Sequence, residues 1–298
     1  VEALLSLSAS VKDAASRFGP SITGVNRGSG VVIAPNRILT SAHNLRGEEP
    51  RITLADGTTV RGRVLGRDVD GDLAVVEAET GDAPALSVGG SDPVVIGTPV
   101  LALANPAGRA LRVTTGLVSA VDTRFRSPRG RRVTGTVEHT APMARGSSGG
   151  PLVDVSGNLI GLNAVRLPGG LILAVPLDAE AAGRVEALSR GDWPEPRRLG
   201  VALAPPRVAR RLQRAVGLPE RDGLLVRAVE DGSAAEQAGL QPGDLIVAAG
   251  ERDVTRIDDL FAALDAAEDD RLRLAVVRGA EERELAVSFA GNGPVAEA

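Results

Sequence analysis

The sequence predicts a mainly β protein in two parts, a barrel- or sandwich-forming unit followed by a smaller α+β unit. Three observations carry this. Between Ile22 and Val175, short apolar or alternating runs are separated by turn residues, the pattern of many short strands. Hydrophobic residues make up 43% of the chain and aromatics only 2%, so the cores are built from Val, Leu, Ile and Ala, which favours strands. The segment Ser189-Arg-Gly-Asp-Trp-Pro-Glu-Pro196 holds two prolines and the only tryptophan and reads as a linker. A length of 298 residues suits two domains.

Taken in order, residues 3–18 carry Leu, Val and Ala at helical spacing and stop at Gly19-Pro20, which cannot continue a helix. Strands are expected at 30–33, 51–54 (turning at Asp56-Gly57), 95–104, 113–121 and 152–155 (turning at Ser156-Gly157-Asn158), and a helix at 179–188. The organisation is then 1–19 an N-terminal helical segment, 20–188 the first domain, 189–196 the linker, 197–290 the second domain and 291–298 a disordered tail. In the second domain, 223–230 and 245–249 read as strands and 233–238 as a short helix. Residues 254–267 read as an amphipathic helix with Ile257, Leu260, Phe261 and Leu264 on one face, and two strands, 271–277 and 284–289, close the unit.

Composition excludes several functions. A net charge of −4 and a pI of about 5.4 give nucleic-acid binding no global support. The local exception, Arg124-Phe-Arg126-Ser-Pro-Arg129-Gly-Arg131-Arg132, reads first as a solvated loop. With no cysteine and two histidines, disulfides, thiolate chemistry and a structural zinc are not expected. No run of about 20 apolar residues is present to span a bilayer. The numbering begins at Val1, consistent with a signal or anchor removed before it.

The chemistry concentrates in Gly146-Ser-Ser148-Gly-Gly-Pro-Leu152. A serine hydroxyl needs a base to become a nucleophile. Taken alone this run is a flexible turn, so the decision rests on finding the base and its orienter. The nucleophile-elbow hydrolases use the order Ser, acid, His, and no histidine follows Ser148. The order acid, His, Ser would need Glu2 or Asp13, both in the N-terminal helix. The order His, Asp, Ser fits: His43 ends a strand in Arg37-Ile-Leu-Thr-Ser-Ala-His43, and Asp72 precedes the apolar run Leu73–Val76. A carboxylate buried there can fix the imidazole tautomer and stabilise the imidazolium. Asp68 and Asp70 are rivals expected to be solvated, and His139 is expected to be structural, at a strand end beneath the serine loop. Gaps of 29 residues from His43 to Asp72 and 76 from Asp72 to Ser148 leave room for a small β-barrel on each side of a cleft.

Thr40-Ser-Ala-His43, Asp72-Leu-Ala-Val75 and Gly146-Ser-Ser148-Gly-Gly-Pro-Leu152 resemble the catalytic motifs of trypsin-like serine proteases, and among them the HtrA (Deg) family. Gly28-Ser-Gly-Val-Val-Ile33 and Gly161-Leu-Asn163 strengthen that likeness. The resemblance implies a chymotrypsin-like double β-barrel, with His43 as general base, Asp72 as orienter, Ser148 as nucleophile and the Gly146 and Ser148 amides as oxyanion hole. It also implies a specificity pocket at Met143 and Arg166 that takes aliphatic side chains, and a sensor loop at the basic segment 124–132. Two departures stand out: Ser147 where the family usually has Asn, and Asn44-Leu45 where it has Val-Val or similar. Gly223-Leu-Leu-Val226 through Ala238-Gly-Leu-Gln-Pro-Gly-Asp-Leu-Ile246 resembles a bacterial PDZ domain, which implies that Leu199-Gly200-Val201 binds a peptide carboxylate through backbone amides. The implied whole is an extracytoplasmic serine endopeptidase acting on unfolded or misfolded proteins, a homotrimer through the N-terminal segment, with no metal or organic cofactor. The alternative is a chaperone or peptide-binding scaffold with a resting, disordered catalytic site.

Overall fold

The computed structural model describes residues 2–89, 94–126, 132–167, 169–192, 197–204, 208–211, 221–267 and 269–289. The chain divides into two compact units, 1–195 and 196–298.

The first unit opens with helix α1 (Glu2–Phe18), which ends as expected at Gly19-Pro20. Seven strands follow: β1 (Ile22–Val25), β2 (Gly28–Ala34), β3 (Arg37–Thr40), β4 (Arg51–Thr53), β5 (Thr59–Arg61), β6 (Arg63–Asp68) and β7 (Leu73–Glu77). They form one antiparallel sheet in the order β5-β4-β1-β2-β3-β7-β6. Its two end strands, β5 and β6, are joined by Gly62 alone, so the edges of the sheet meet there and the sheet is rolled. The Gly62 and Val64 amides donate to the carbonyls of Pro50 and Glu48, both at 2.9 Å, across that seam. A closed six-stranded barrel comes next: β8 (Pro99–Ala104), β9 (Arg112–Arg126), β10 (Arg132–His139), β11 (Pro151–Asp154), β12 (Leu159–Arg166) and β13 (Ile172–Pro176). The run from Val95, expected as one strand, starts only at Pro99, because the Thr98 amide turns back to the Val95 carbonyl and leaves Val95 and Ile96 exposed.

Period-two alternation explains why these strands read as continuous apolar runs. Successive side chains point to opposite faces. On β7, Ala74 and Val76 fill the first barrel with Val25, Ile38 and Ile52, while Leu73 and Val75 face outward. On β8, Val100, Ala102 and Ala104 fill the second barrel, while Leu101 and Leu103 face outward. The outward sets meet in one cluster, with Ile22, Val31, Leu39, Leu162 and Val175, so both strand faces are buried. Each fully buried Leu, Val or Ile contributes about 1.5–3 kcal/mol of transfer free energy. The two barrels therefore share a packed wall. Helix α2 (Ala179–Arg190) packs its Ala181, Val185 and Leu188 on the same cluster. Asp178 caps it by accepting from the Ala181 amide at 2.9 Å, and Gly191 in the left-handed region ends it. It runs two residues into the segment read as linker; residues 193–196 of that linker lie outside the described residues.

The second unit is a sheet in the order β14-β15-β16-β18-β19, with β17 paired to β16: β14 (Val201–Leu203), β15 (Leu224–Val229), β16 (Leu245–Ala249), β17 (Arg252–Asp253), β18 (Arg271–Arg278) and β19 (Glu281–Ser288). Helix α3 (Ala234–Gln237) is capped by the Ser233 hydroxyl. Helix α4 (Ile257–Asp265) buries Leu260, Ala263 and Leu264 against the sheet. It starts three residues later than its hydrophobic pattern suggests. The Asp259 carboxylate accepts from the Thr255 and Arg256 amides and the Thr255 hydroxyl, so the first turn is fixed around that side chain while Val254 belongs to the core. The β18–β19 hairpin is longer than expected, paired from Arg271↔Ser288 to Arg278↔Glu281 across a two-residue turn containing Gly279. The Asp244 carboxylate, 1% exposed, takes both arms of the Arg278 guanidinium at 2.7 and 2.8 Å and the Gln241 amide at 2.8 Å, locking the β15–β16 turn to β18. Among the described residues no helix is long and apolar enough to cross a bilayer. The basic loop 127–131 and the tail expected at 291–298 lie outside the described residues.

Candidate active site

Strand pairing closes the 29-residue gap between His43 and Asp72. β3 runs antiparallel to β7 with Thr40 opposite Ala74, so the chain leaving β3 meets the chain entering β7. His43 sits in the 3₁₀ turn Ala42–Asn44, and the Asp72 carbonyl accepts the Ala42 amide at 3.2 Å. Asp72 has φ +57°, unusual for a residue with a side chain, and its carboxylate is 1% exposed. Both its oxygens lie 2.9 Å from the His43 Nδ1, and Oδ1 also accepts the His43 amide at 3.1 Å. An acceptor on both sides of Nδ1 fixes the proton there and leaves Nε2 of the neutral ring with its lone pair. The His43 side chain is 27% exposed, so the ring has a buried edge and an open one.

Two opposing effects set the His43 pKa. Burial pulls it down, while the hydrogen bond and charge of Asp72 push it up and win, so it lies above the ordinary value of about 6.5. The protonated ring is thus favoured in the folded state. The stability it contributes is full below about pH 6.5 and is lost as pH rises through the folded-state value. His139 behaves oppositely. It is fully buried at the end of β10, and burial outweighs its hydrogen bond to Asn163 and the charge of Glu138, lowering its pKa. Its contribution is present at neutral pH and is lost as pH falls below about 6.5. With only two histidines, an NMR titration of the imidazole signals should show one midpoint above and one below 6.5, the upper one missing in His43→Ala. Two midpoints below 6.5 would contradict the Asp72 pairing.

The serine loop is docked on the first barrel by its backbone. The Ser148 carbonyl accepts from the Ser29 amide at 2.9 Å and from the Asn44 Nδ2 at 2.8 Å. The Ser29 hydroxyl donates to the Gly146 carbonyl at 2.9 Å and accepts the Asn105 amide at 3.1 Å. Gly149 has φ +84°, and a Cβ there would overlap the Ser29 carbonyl oxygen, so the glycine after the serine is required by close approach as well as by conformation. The other side of the loop is held by Asn163. Its carbonyl takes the Gly149 amide at 2.7 Å, its amide donates to the Gly150 carbonyl at 2.9 Å, and its Nδ2 donates to the Gly150 and Pro151 carbonyls. Its Oδ1 must then accept the proton on His139 Nε2, 2.8 Å away. His139 therefore lies beneath the serine loop, as its position suggested.

The Ser148 hydroxyl is partly buried and donates to the Ala164 carbonyl at 2.7 Å, so its single proton is directed at β12 and not at the imidazole. Among the described residues the Gly146 and Ser148 amides donate to no protein acceptor. Met143 is buried inside the second barrel with Val118, Val137 and Ile172, and Arg166 is exposed at the end of β12, two residues beyond Ala164. Of the rivals, Asp70 is half-buried, but Asp68, expected to be solvated, is 4% exposed. It accepts the Asp70 and Gly71 amides at 3.1 and 2.8 Å and faces Arg184 of α2 at 3.4 Å, so it shapes the turn that delivers Asp72. In the second unit Leu199 is buried and Gly200 has φ +76°. The Leu199 carbonyl receives the Ala235 amide and the Gly200 carbonyl the Glu230 amide, while β14 is an edge strand.

This arrangement matches known proteins along both units. Residues 28–162 match the trypsin-like peptidase domain and residues 225–278 the PDZ domain. The mitochondrial serine protease HTRA2 of Drosophila pseudoobscura pseudoobscura is 30% identical over 289 residues, covering 91% of this chain and 67% of the relative. The chain belongs to the HtrA family of serine proteases. HhoB of Synechocystis is 32% identical over 87% of this chain and 65% of its own length. The HtrA-type protease AlgW, solved with a tripeptide, is 27% identical with a TM-score of 0.56, covering 93% of this chain and 96% of that one. A DegP-like relative from Pseudomonas savastanoi pv. phaseolicola, 32% identical over 88% of this chain and 55% of its own length, is named as a periplasmic serine endoprotease. The chain spans just under two thirds of the length of the first curated relatives it matches, 65% and 66%. Against the HtrA pattern, the Ser147 hydroxyl is buried with no hydrogen-bond partner among the described residues, whereas Asn44 is bonded on both its backbone and its side chain.

Proposed function

We propose that the chain is a serine endopeptidase that cleaves unfolded or misfolded proteins by acyl transfer, with His43 as base, Asp72 as its orienter and Ser148 as nucleophile. The observation that carries this is the His43–Asp72 pair, with the Ser148 loop hydrogen-bonded to the turn that bears the base. In the first step the Ser148 hydroxyl rotates from the Ala164 carbonyl to His43 Nε2, gives up its proton there and attacks the substrate carbonyl. The new oxyanion meets the Gly146 and Ser148 amides, which among the described residues have no protein acceptor to leave. His43 then passes its proton to the leaving amine, and water releases the acyl group by the same path. A serine-directed phosphonylating reagent should modify Ser148 alone; a second modified serine counts against this assignment.

Met143 and the exposed Arg166 support a primary pocket without a buried counter-charge. Mass-spectrometric mapping of cleavages in unfolded casein should show cutting after Val, Ala, Leu or Ile. Dominant cutting after Asp or Glu would place the Arg166 guanidinium in the pocket instead.

The second unit supports recruitment of peptide C-termini at Leu199-Gly200-Val201, with the peptide adding a strand along β14, the end strand of the sheet among the described residues. AlgW, solved with peptides of three and ten residues, fits this reading. Affinity should fall at least tenfold when the peptide carboxylate is amidated, since a charged hydrogen bond is worth ~1.5–3 kcal/mol. Equal affinity by calorimetry would remove the groove assignment. The exposed Leu5 and Leu7 of α1 suit assembly through the N-terminal segment into a homotrimer, and the periplasmic DegP-like relatives favour an extracytoplasmic site of action.

One observation favours a second reading. The Ser148 hydroxyl donates to the Ala164 carbonyl of β12 and not to His43. A scaffold that binds unfolded chains without cutting them would be compatible with this, and casein that is bound but never degraded would establish it.

A further inference from the structure

We propose that Asn44, the residue after the base, is a positioning residue that registers the Ser148 loop against the His43 turn. The inference rests on the acyl-transfer reading above and adds to it a residue outside the three that carry the chemistry. Asn44 is anchored first by its backbone. Its amide donates to the Ser41 carbonyl at 3.0 Å, and its carbonyl accepts from the Asn26 Nδ2 at 3.0 Å. Asn26 is tied in turn to Arg51 of β4 through its own amide and its Oδ1. The side chain then crosses between barrels. Its Nδ2 donates to the Ser148 carbonyl at 2.8 Å and to the Thr40 Oγ1 at 3.0 Å.

The donor count leaves no slack. Thr40 spends its only hydroxyl proton on the Ser29 carbonyl, at 2.7 Å, so toward Asn44 it can only accept. The Ser148 carbonyl has two lone pairs, and both are filled from the first barrel, one by the Ser29 amide and one by Asn44. The two amide protons of Asn44 are thereby both committed, one within its own barrel and one to the nucleophile. Space is reserved for it as well: a Cβ on Gly28 of β2 would overlap the Asn44 carboxamide. An apolar residue at 44 would leave one lone pair of Ser148 and the Thr40 oxygen without donors, and among the described residues Ser29 would be the only direct hydrogen-bond donor to the Ser148 carbonyl.

The consequence is kinetic. Ser148 must turn its hydroxyl from Ala164 to His43 while its backbone stays still, and a misplacement of about 1 Å can cost 10²-fold in rate. Because Asn44 adjoins His43 in one three-residue turn, its bond to Ser148 sets the distance between base and nucleophile. Among the described residues its hydrogen bonds reach neither Met143 nor Arg166 nor Asp72, so the effect is expected in turnover and not in substrate binding or in the charge state of His43.

The test compares the full-length wild type with Asn44→Leu, close in shape but without donors, and with Thr40→Val, which removes the acceptor that orients the carboxamide. Asn44→Leu should lower kcat roughly tenfold, with KM within twofold and the acidic midpoint of the pH–rate profile unmoved. Phosphonylation of Ser148 should slow by the same factor. Thr40→Val should lower kcat less, and the double variant should be no worse than Asn44→Leu alone, since both act through one bond. Unchanged kcat in Asn44→Leu, a loss carried by KM, a shifted midpoint, or additive losses in the double variant would each overturn the inference. If Asn44→Leu does not fold, an unchanged kcat in Thr40→Val overturns it. A wild type that neither cleaves casein nor is phosphonylated overturns the acyl-transfer reading and this inference with it. An active wild type beside an equally active Asn44→Leu overturns the inference alone.

Discussion

Ser148→Ala and His43→Ala should each lower peptide turnover by roughly 10⁴-fold or more while the chain stays folded, because in the proposed mechanism nucleophile and base act as one unit and removing either leaves only binding and the oxyanion hole. Each substitution is small in structural terms. Ser148 loses one hydrogen bond, to the Ala164 carbonyl, and its backbone bonds to Ser29 and Asn44 remain. His43 loses its pairing with Asp72, whose carboxylate keeps the His43 backbone amide. The informative contrast is His139→Ala. That residue is fully buried and holds Asn163 Oδ1, yet Asn163 keeps its four hydrogen bonds to Gly149, Gly150 and Pro151. At least a tenth of the activity should survive in His139→Ala with the fold intact. Steady-state kinetics with circular dichroism on the same samples checks all three variants. Loss of turnover in a folded His139→Ala beside an active His43→Ala would reverse the roles given to the two histidines.

How much of this was legible in the sequence depends on what each interaction is made of. Aliphatic runs announce strands buried on both faces, and the cores at β7 and β8 follow from reading alternate positions. The three motifs announce His43, Asp72 and Ser148 because histidine is scarce, with two in the chain, and because the aspartate and serine motifs follow it in a fixed order. The Ala164 carbonyl was invisible, since every residue supplies a carbonyl and only the fold selects which one meets Ser148. Asp68 misled because a run of acids reads as solvent-facing, whereas two backbone amides and Arg184 make its burial possible. The start of α4 was misplaced because apolar periodicity runs on through Val254, while capping by Asp259 decides where the helix begins. Asn44 left a trace in the sequence as a departure from the HtrA pattern. Its meaning needed the neighbouring Gly28, which leaves room for the carboxamide, and the Ser148 carbonyl that receives it.

Gly149→Ala should lower kcat/KM by about 10²-fold or more, the cost of moving the nucleophile by about an ångström. Two penalties act at this position. With φ at +84° a side chain is strained wherever it sits. In addition the new methyl would overlap the Ser29 carbonyl oxygen and come within 2.5 Å of the Thr40 Oγ1 and 2.8 Å of the Asn44 Nδ2. Of those atoms Asn44 Nδ2 bonds the Ser148 carbonyl and the other two orient it, Thr40 Oγ1 by accepting from Asn44 and the Ser29 carbonyl by accepting from Thr40, and Ser29 and its β2 neighbours are buried and cannot withdraw. The loop must therefore lift, carrying Ser148 away from His43. Gly47→Ala separates the two penalties. That glycine has φ +71° but nothing within 4 Å of the added carbon, so it meets the backbone strain without the collision. Thermal unfolding should fall for both variants, whereas turnover should fall only for Gly149→Ala, with the imidazole midpoint of His43 still above 6.5. Gly149→Ala at wild-type activity would show that the loop reaches the base without resting on the first barrel, and the docking assigned to Ser29 and Asn44 would then have no role in catalysis.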